Sequence, residues 1–235
     1  VLQHLVSSLQ PDLALNLHDQ NAYHGISERQ HTSTIAMLAP VADHAKHITP
    51  VRKQAMQLIC AAQKVLREYI PNHVARFDDT FSPRSFGDNI VSQGVSTILI
   101  ESGTFINDPH RQVARKMNVL TYFTLLDALL HNKYEHYTIE DYFAIPEHQD
   151  DVYVDLKLTD LLIANTDHPF TIDKHGSTNI EHLGDCHTVK GFKELSLSGY
   201  QLISDYQDLQ PDSAANLIFV SPSGLLITIN ELLST

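Results

Sequence analysis

The sequence predicts an α/β fold over residues 1–145, a mixed and largely parallel sheet flanked by helices, followed by a small all-β module over 146–235. Three observations carry that expectation. Up to about residue 145, strand patterns alternate with helical ones, which is how parallel strands are connected. Beyond it, short runs alternate apolar and polar residues with period two, and no long helical stripe recurs. A polar stretch at 145–151 separates the two regions.

Leu2, Leu5, Val6 and Leu9 make a short helical stripe that breaks at Gln10, before Pro11. The run 12–18 puts Leu13, Leu15 and Leu17 on one face and small or polar residues on the other. It predicts a buried strand ending at His18, Asp19 and Gln20. A polar loop with Tyr23, His24, Gly25 and Arg29 leads to a second short apolar stretch, 35–39. Thr49 before Pro50 reads as a helix start, a hydroxyl cap followed by proline at the first helical position. Val51, Ala55, Leu58, Ile59, Ala62 and Leu66 follow at helical spacing, and Pro71 ends the helix. Residues 72–89 read as a loop holding Phe77, Phe81 and Phe86. After Gln93 and Gly94, the run VSTILI at 95–100 is β-branched enough for a central strand. Asp108 and Pro109 open a further helix, with Val113, Met117, Leu120, Phe123 and Leu130 among its apolar positions, ending near 132. In the module, 152–158 alternates with period two. The tetrapeptide SPSG at 221–224 lies between two apolar runs like a hairpin turn.

The 235 residues are 43% hydrophobic and 19% charged, an ordinary globular composition. Sixteen basic against 28 acidic residues give a net charge of −12, which argues against nucleic-acid partners and anionic membrane surfaces. No apolar run approaches the roughly 20 residues that span a bilayer. Two cysteines, Cys60 and Cys186, exclude a disulfide framework and a Cys-rich zinc site, and Cys60 falls on a helical apolar pattern as a core residue. No signal peptide is visible at the start, which favours the cytoplasm. The opening at Val1, inside a helical pattern, predicts an internal fragment or a processed product.

Two ionisable residues, His18 and Glu101, stand at the carboxyl ends of predicted central strands, where open α/β sheets bind their ligands. A histidine there suits a metal and a glutamate suits a general base, against the plainer role of ending a buried strand. Arg76 and Arg84 are candidates for the pocket wall or for surface ion pairs. His44 and His47 are the best alternative metal pair among the 15 histidines.

The segment PDLALNLHDQ at 11–20 resembles the part of the zinc carboxypeptidases that supplies the last zinc-ligand histidine. TILIESG at 97–103 resembles the strand that ends in their catalytic glutamate, followed closely by glycine. Between them, GDN at 87–89 and Gln93 with Gly94 are similar to the family's approach to that strand, where an aspartate lies in the specificity pocket. The helix at 108–132 is similar to the family's closing helix. The resemblance covers about residues 1 to 132. It implies that 1–145 is the carboxyl-terminal part of such a catalytic domain, with 146–235 an accessory module. It implies one catalytic Zn2+ in the complete protein, His18 as a ligand, Glu101 as acid/base and Asp88 in the specificity pocket. Thr80 and Phe81 stand where the family carries a mobile tyrosine, so a tyrosine role falls to Tyr23 as the candidate, and Arg84 is the candidate substrate-binding residue of the pocket wall. The implied reaction is cleavage of a C-terminal peptide bond, or a related amide such as an N-acyl amino acid, by zinc-activated water. The family takes its other two ligands from an upstream His-x-x-Glu, and no histidine here is followed by glutamate at that spacing. Its carboxylate-clamping Arg and Asn lie upstream as well. This chain alone is therefore expected to be inactive and to bind zinc poorly. The alternative reading is a non-catalytic fragment or pseudoenzyme acting as a binding module.

Overall fold

In a computed structural model of the chain, the described residues are 1–21, 24–26, 31–108, 110–149, 154–163, 169–175, 193–196, 198, 200–202 and 218–228. They divide between two units, Val1–Val152 and Tyr153–Thr235. The first unit runs α1 (Leu2–Leu9), β1 (Ala14–Asp19), β2 (Gly25–Ile26), β3 (His31–Thr32), β4 (Ile35–Leu38), α2 (Pro50–Leu66) and β5 (Val74–Arg76). It continues with α3 (Phe86–Val91), β6 (Thr97–Ser102), α4 (Gln112–Leu130), α5 (Ile139–Phe143) and β7 (His148–Gln149).

Its main sheet has the order β1-β6-β4-β5. β1 pairs with β6 and β4 with β5 in parallel, while β4 and β6 are antiparallel, so the sheet is mixed and largely parallel. One strand departs from expectation. The run 12–18 is not a central strand: β1 occupies the sheet edge, and Leu17 is 54% exposed. Leu13 and Leu15 do pack against the core. An alternating pattern reports that one face is covered, and is silent on how many strands flank the element.

Side-chain alternation gives the sheet two different faces. One is apolar: Ile35, Met37, Val74, Ile98 and Ile100 meet Ala55, Leu58, Ile59 and Leu66 of α2 and Met117 and Leu125 of α4. Helix α2 starts as its sequence dictates, with the Thr49 side chain accepting the Arg52 N–H and Pro50 at the first position. Arg52 is buried nonetheless, its guanidinium donating to the Ala39 and Lys46 carbonyls and to Asp79. Fully buried Tyr142 of α5 accepts the Ala39 N–H through its hydroxyl. Cys60 is buried in the same core, and burial pushes its thiol up to about 12, the behaviour of a packing residue. On the opposite face, Val6 of α1 packs with Ile90 and Val95, and Ile26 covers Ala36 and Ala75. Between these two patches the face is left to Asn16, His18, Leu99 and Glu101.

Residues 72–89 are not simply a loop, since they contain β5 and the first four residues of α3. These elements, like β2, β3, α5 and β7, span two to six residues and are too short to show a period. Helix α4 begins at Gln112, four residues beyond Asp108, whose carboxylate accepts the N–H groups of Gln112 (3.0 Å) and Val113 (2.6 Å).

The second unit, taken by itself, contains β8 (Val154–Ile163), β9 (Pro169–His175), β10 (Lys193–Ser196), β11 (Gln201–Leu202), β12 (Ile218–Val220) and β13 (Leu226–Thr228). Among its described residues every element is a strand. β8 pairs antiparallel with β9 and parallel with β10 and β11, and β11, β12 and β13 are successively antiparallel. The hairpin at 221–224 is present. Gly224 takes the left-handed φ of 83° that the turn needs, and the Ser221 hydroxyl accepts the Leu225 N–H. Among the described residues no helix is long and apolar enough to cross a membrane.

Two expectations follow from the packing of the first unit. A Cβ at Gly103 would collide with the Ser33 carbonyl oxygen and the Gln20 amide. Gly103→Ala should therefore cost about 1–3 kcal/mol, read as a lowered urea midpoint at unchanged m. His73 is buried against the Thr32 carbonyl and the rings of His31 and Phe105. Burial, aided by His31, holds its imidazole below the usual histidine value. The neutral form is thus favoured by folding, and stability falls as the pH drops below about 6.5. The urea midpoint of the wild type should fall more between pH 7 and pH 5 than that of His73→Asn; equal losses would remove His73 from the account.

Candidate active site

The site follows from register. Parallel pairing of β1 with β6 sets Asn16 opposite Leu99, His18 opposite Glu101, and Asp19 opposite Ser102. His18 Nδ1 lies 3.9 Å from Glu101 Oε1, and His18 Nε2 lies 3.1 Å from Asn16 Oδ1. The histidine side chain is half exposed, at 51%, while that of Glu101 is 11% exposed. Burial first, and then the negative charge of Asp19, push the Glu101 carboxyl up to about 7.

A knot of hydrogen bonds holds the strand ends that carry this pair. Arg111, in left-handed conformation at the start of α4, pairs with the Asp19 carboxylate. The same guanidinium donates to the carbonyls of Ser102 (3.3 Å) and Gln20 (3.1 Å). The Gln20 N–H donates to the Ser102 carbonyl, and the Gln20 side-chain amide to the Ser33 carbonyl. The Gly103 N–H donates to Thr34 at 2.9 Å. Gly103 lets the segments 19–20, 33–34 and 102–104 approach one another closely.

Glu101 and His18 open into a cavity of about 410 Å³. Asp88 and Arg84 line it too, together with the apolar side chains of Leu38, Leu99 and Phe77. His18, Glu101, Asp88 and Arg84 thus share one cavity, while Arg76, His44 and His47 are not part of its lining and Tyr23 lies outside the described residues. Asp88 is buried, and its carboxylate accepts the Ser82 N–H at 2.7 Å while its own N–H donates to Ser85 Oγ, so it also shapes the wall it belongs to. Arg84 is exposed and makes no ion pair among the described residues. Arg76 does not line the cavity. It pairs with Glu147, and its guanidinium lies 5.8 Å and 5.3 Å from the ring centroids of Tyr142 and Phe143.

Asn16 and Arg111 were not found from the sequence. Asn16 had a signal, since residues two apart on a strand share a face and it precedes His18 by two. Arg111 had none, because it reaches Asp19 across 92 positions.

A catalytic zinc needs three protein ligands. His18 supplies one imidazole, and among the described residues no group of three His, Cys, Asp or Glu side chains stands together. The described residues do not by themselves assemble a complete zinc site. His47 Nδ1 is instead paired with Asp43 at 2.9 Å, and the His44 ring packs on Phe81. The His148 ring lies between His24 and Phe77. Cys186 lies outside the described residues. No protein-family model, no curated protein and no solved structure matches the chain.

The raised Glu101 value has a measurable consequence. Side-chain carboxyl NMR should show one glutamate titrating near pH 7, and Asp19→Asn should move it down. Because the folded value lies above the unfolded one, the protonated form is favoured by folding. Stability from this group is therefore lost as the pH rises from the ordinary carboxyl range through about 7. Glu101→Gln should accordingly stabilise the unit at pH 8 by about 1–2 kcal/mol, a figure discounted for solvent in the cavity, and much less at pH 4.

Proposed function

We propose that the complete protein is a zinc-dependent hydrolase of the carboxypeptidase type that cleaves a C-terminal peptide bond or a related amide. This chain contributes the acid/base, Glu101, and one metal ligand, His18. The observation that carries the reading is the Glu101 carboxyl, raised to about 7, 3.9 Å from His18 and opening into a cavity of about 410 Å³. A carboxyl that is half ionised at neutral pH can take a proton from attacking water and return it to a leaving nitrogen, a role worth about 10²–10⁴ in rate. The cavity falls within the roughly 300–1,000 Å³ usual for small ligands. Its mixture of apolar wall and Arg84 suits a peptide or acyl-amino-acid substrate, and a deacylase of N-acyl amino acids fits the same plan.

Among the described residues no group of three metal-ligating side chains includes His18. A second reading follows from that shortfall: a binding module that holds such a ligand without turning it over.

Turnover separates the two. In full-length protein, Glu101→Gln should keep the fold and zinc content and lower hydrolysis of a peptide or N-acyl amino acid by at least about 10². His18→Ala should lose metal and activity together. A wild type inactive on both substrate classes supports the binding module. Activity unchanged in Glu101→Gln would mean that the glutamate merely ends a strand.

A further inference from the structure

The most sharply defined contact in the site belongs to a residue with no role so far. Asn16 precedes His18 by two on β1 and so shares its face of the sheet. Its Oδ1 lies 3.1 Å from His18 Nε2. The other ring nitrogen, Nδ1, is 3.9 Å from Glu101 Oε1, beyond hydrogen-bond range. The half-exposed ring therefore has one hydrogen-bond partner among the described residues, and that partner is Asn16.

Asn16 lines the same cavity as His18 and Glu101, and its amide turns the oxygen end to the histidine. An amide oxygen only accepts, so the ring nitrogen facing it must donate. A neutral imidazole has one N–H, and placing it on Nε2 leaves a lone pair on Nδ1.

We propose that Asn16 is a positioning residue, which holds the His18 ring with its hydrogen on Nε2 and its Nδ1 lone pair turned toward Glu101 and the cavity. Orienting partners of this kind select the tautomer of ligating and catalytic histidines elsewhere. The assignment deepens the hydrolytic reading, and rests on it only for the use made of that lone pair as an electron-pair donor beside the acid/base. The state of the ring can be read without any turnover.

The test uses the 235-residue chain labelled with 15N at pH 8, where long-range proton–nitrogen correlation shows which His18 nitrogen carries the hydrogen. Wild type should show a single tautomer with hydrogen on Nε2. Asn16→Asp, which keeps an acceptor, should retain it. Asn16→Leu, similar in shape without the acceptor, should lose the single tautomer and loosen the ring in carbon relaxation while the amide spectrum stays native. Should Asn16→Leu fail to fold, Asn16→Ala carries the same comparison. Hydrogen on Nδ1 in the wild type, or an unchanged ring in the variant lacking the acceptor, would overturn the assignment. Absence of hydrolysis in the complete protein, with the ring result as expected, would count against the hydrolytic reading alone.

Discussion

Parallel pairing of β1 with β6 is the constraint from which the rest of the first unit's site descends. Strands that run the same way end at the same level, so the residues that close them, His18 and Glu101, come opposite one another. An antiparallel pair would have set them at opposite ends of the sheet. The arrangement has a weakness, because β1 is an edge strand held on one side only. The Arg111 guanidinium compensates by tying Asp19, Gln20 and Ser102 together just past the paired residues. Gly103 allows the strap at Ser33 and Thr34 to close over the same point.

The two faces of β6 show how one strand serves stability and chemistry at once. Ile98 and Ile100 are buried against α2 and α4, on the face that holds the unit together. Leu99 and Glu101 point the other way, into the cavity. A carboxyl placed there with Asp19 beside it is kept at a protonation balance that destabilises the fold at high pH. Sites that carry such a cost are where function is concentrated.

Several elements were legible because their signals are local. The Thr49 cap, Pro50 and the spacing of Val51 to Leu66 define α2 with no reference to anything distant. The β-branched run before Glu101 defines β6, and the turn at 221–224 defines the hairpin of β12 and β13. Segments such as β5 and α3 were not legible, since three residues hold less than two strand periods and six hold less than two helical turns. The start of α4 was misplaced because Asp108 caps it from outside the helix, across a left-handed Arg111.

By itself, the sequence determined the α/β character, the chief helices and strands, and the placing of a histidine and a glutamate at two strand ends. These depend on period, capping and turn chemistry, which act over a few neighbours along the chain. Tertiary structure alone decided that β1 lies at an edge, that β4 runs antiparallel to β6, and that Asn16 meets the His18 ring while Arg111 ties off the strand ends. It also raised the Glu101 carboxyl, because desolvation and the field of Asp19 exist only once β1 and β6 lie side by side. Proton affinity depends on distance in space, and a linear sequence does not contain that distance until the chain has folded.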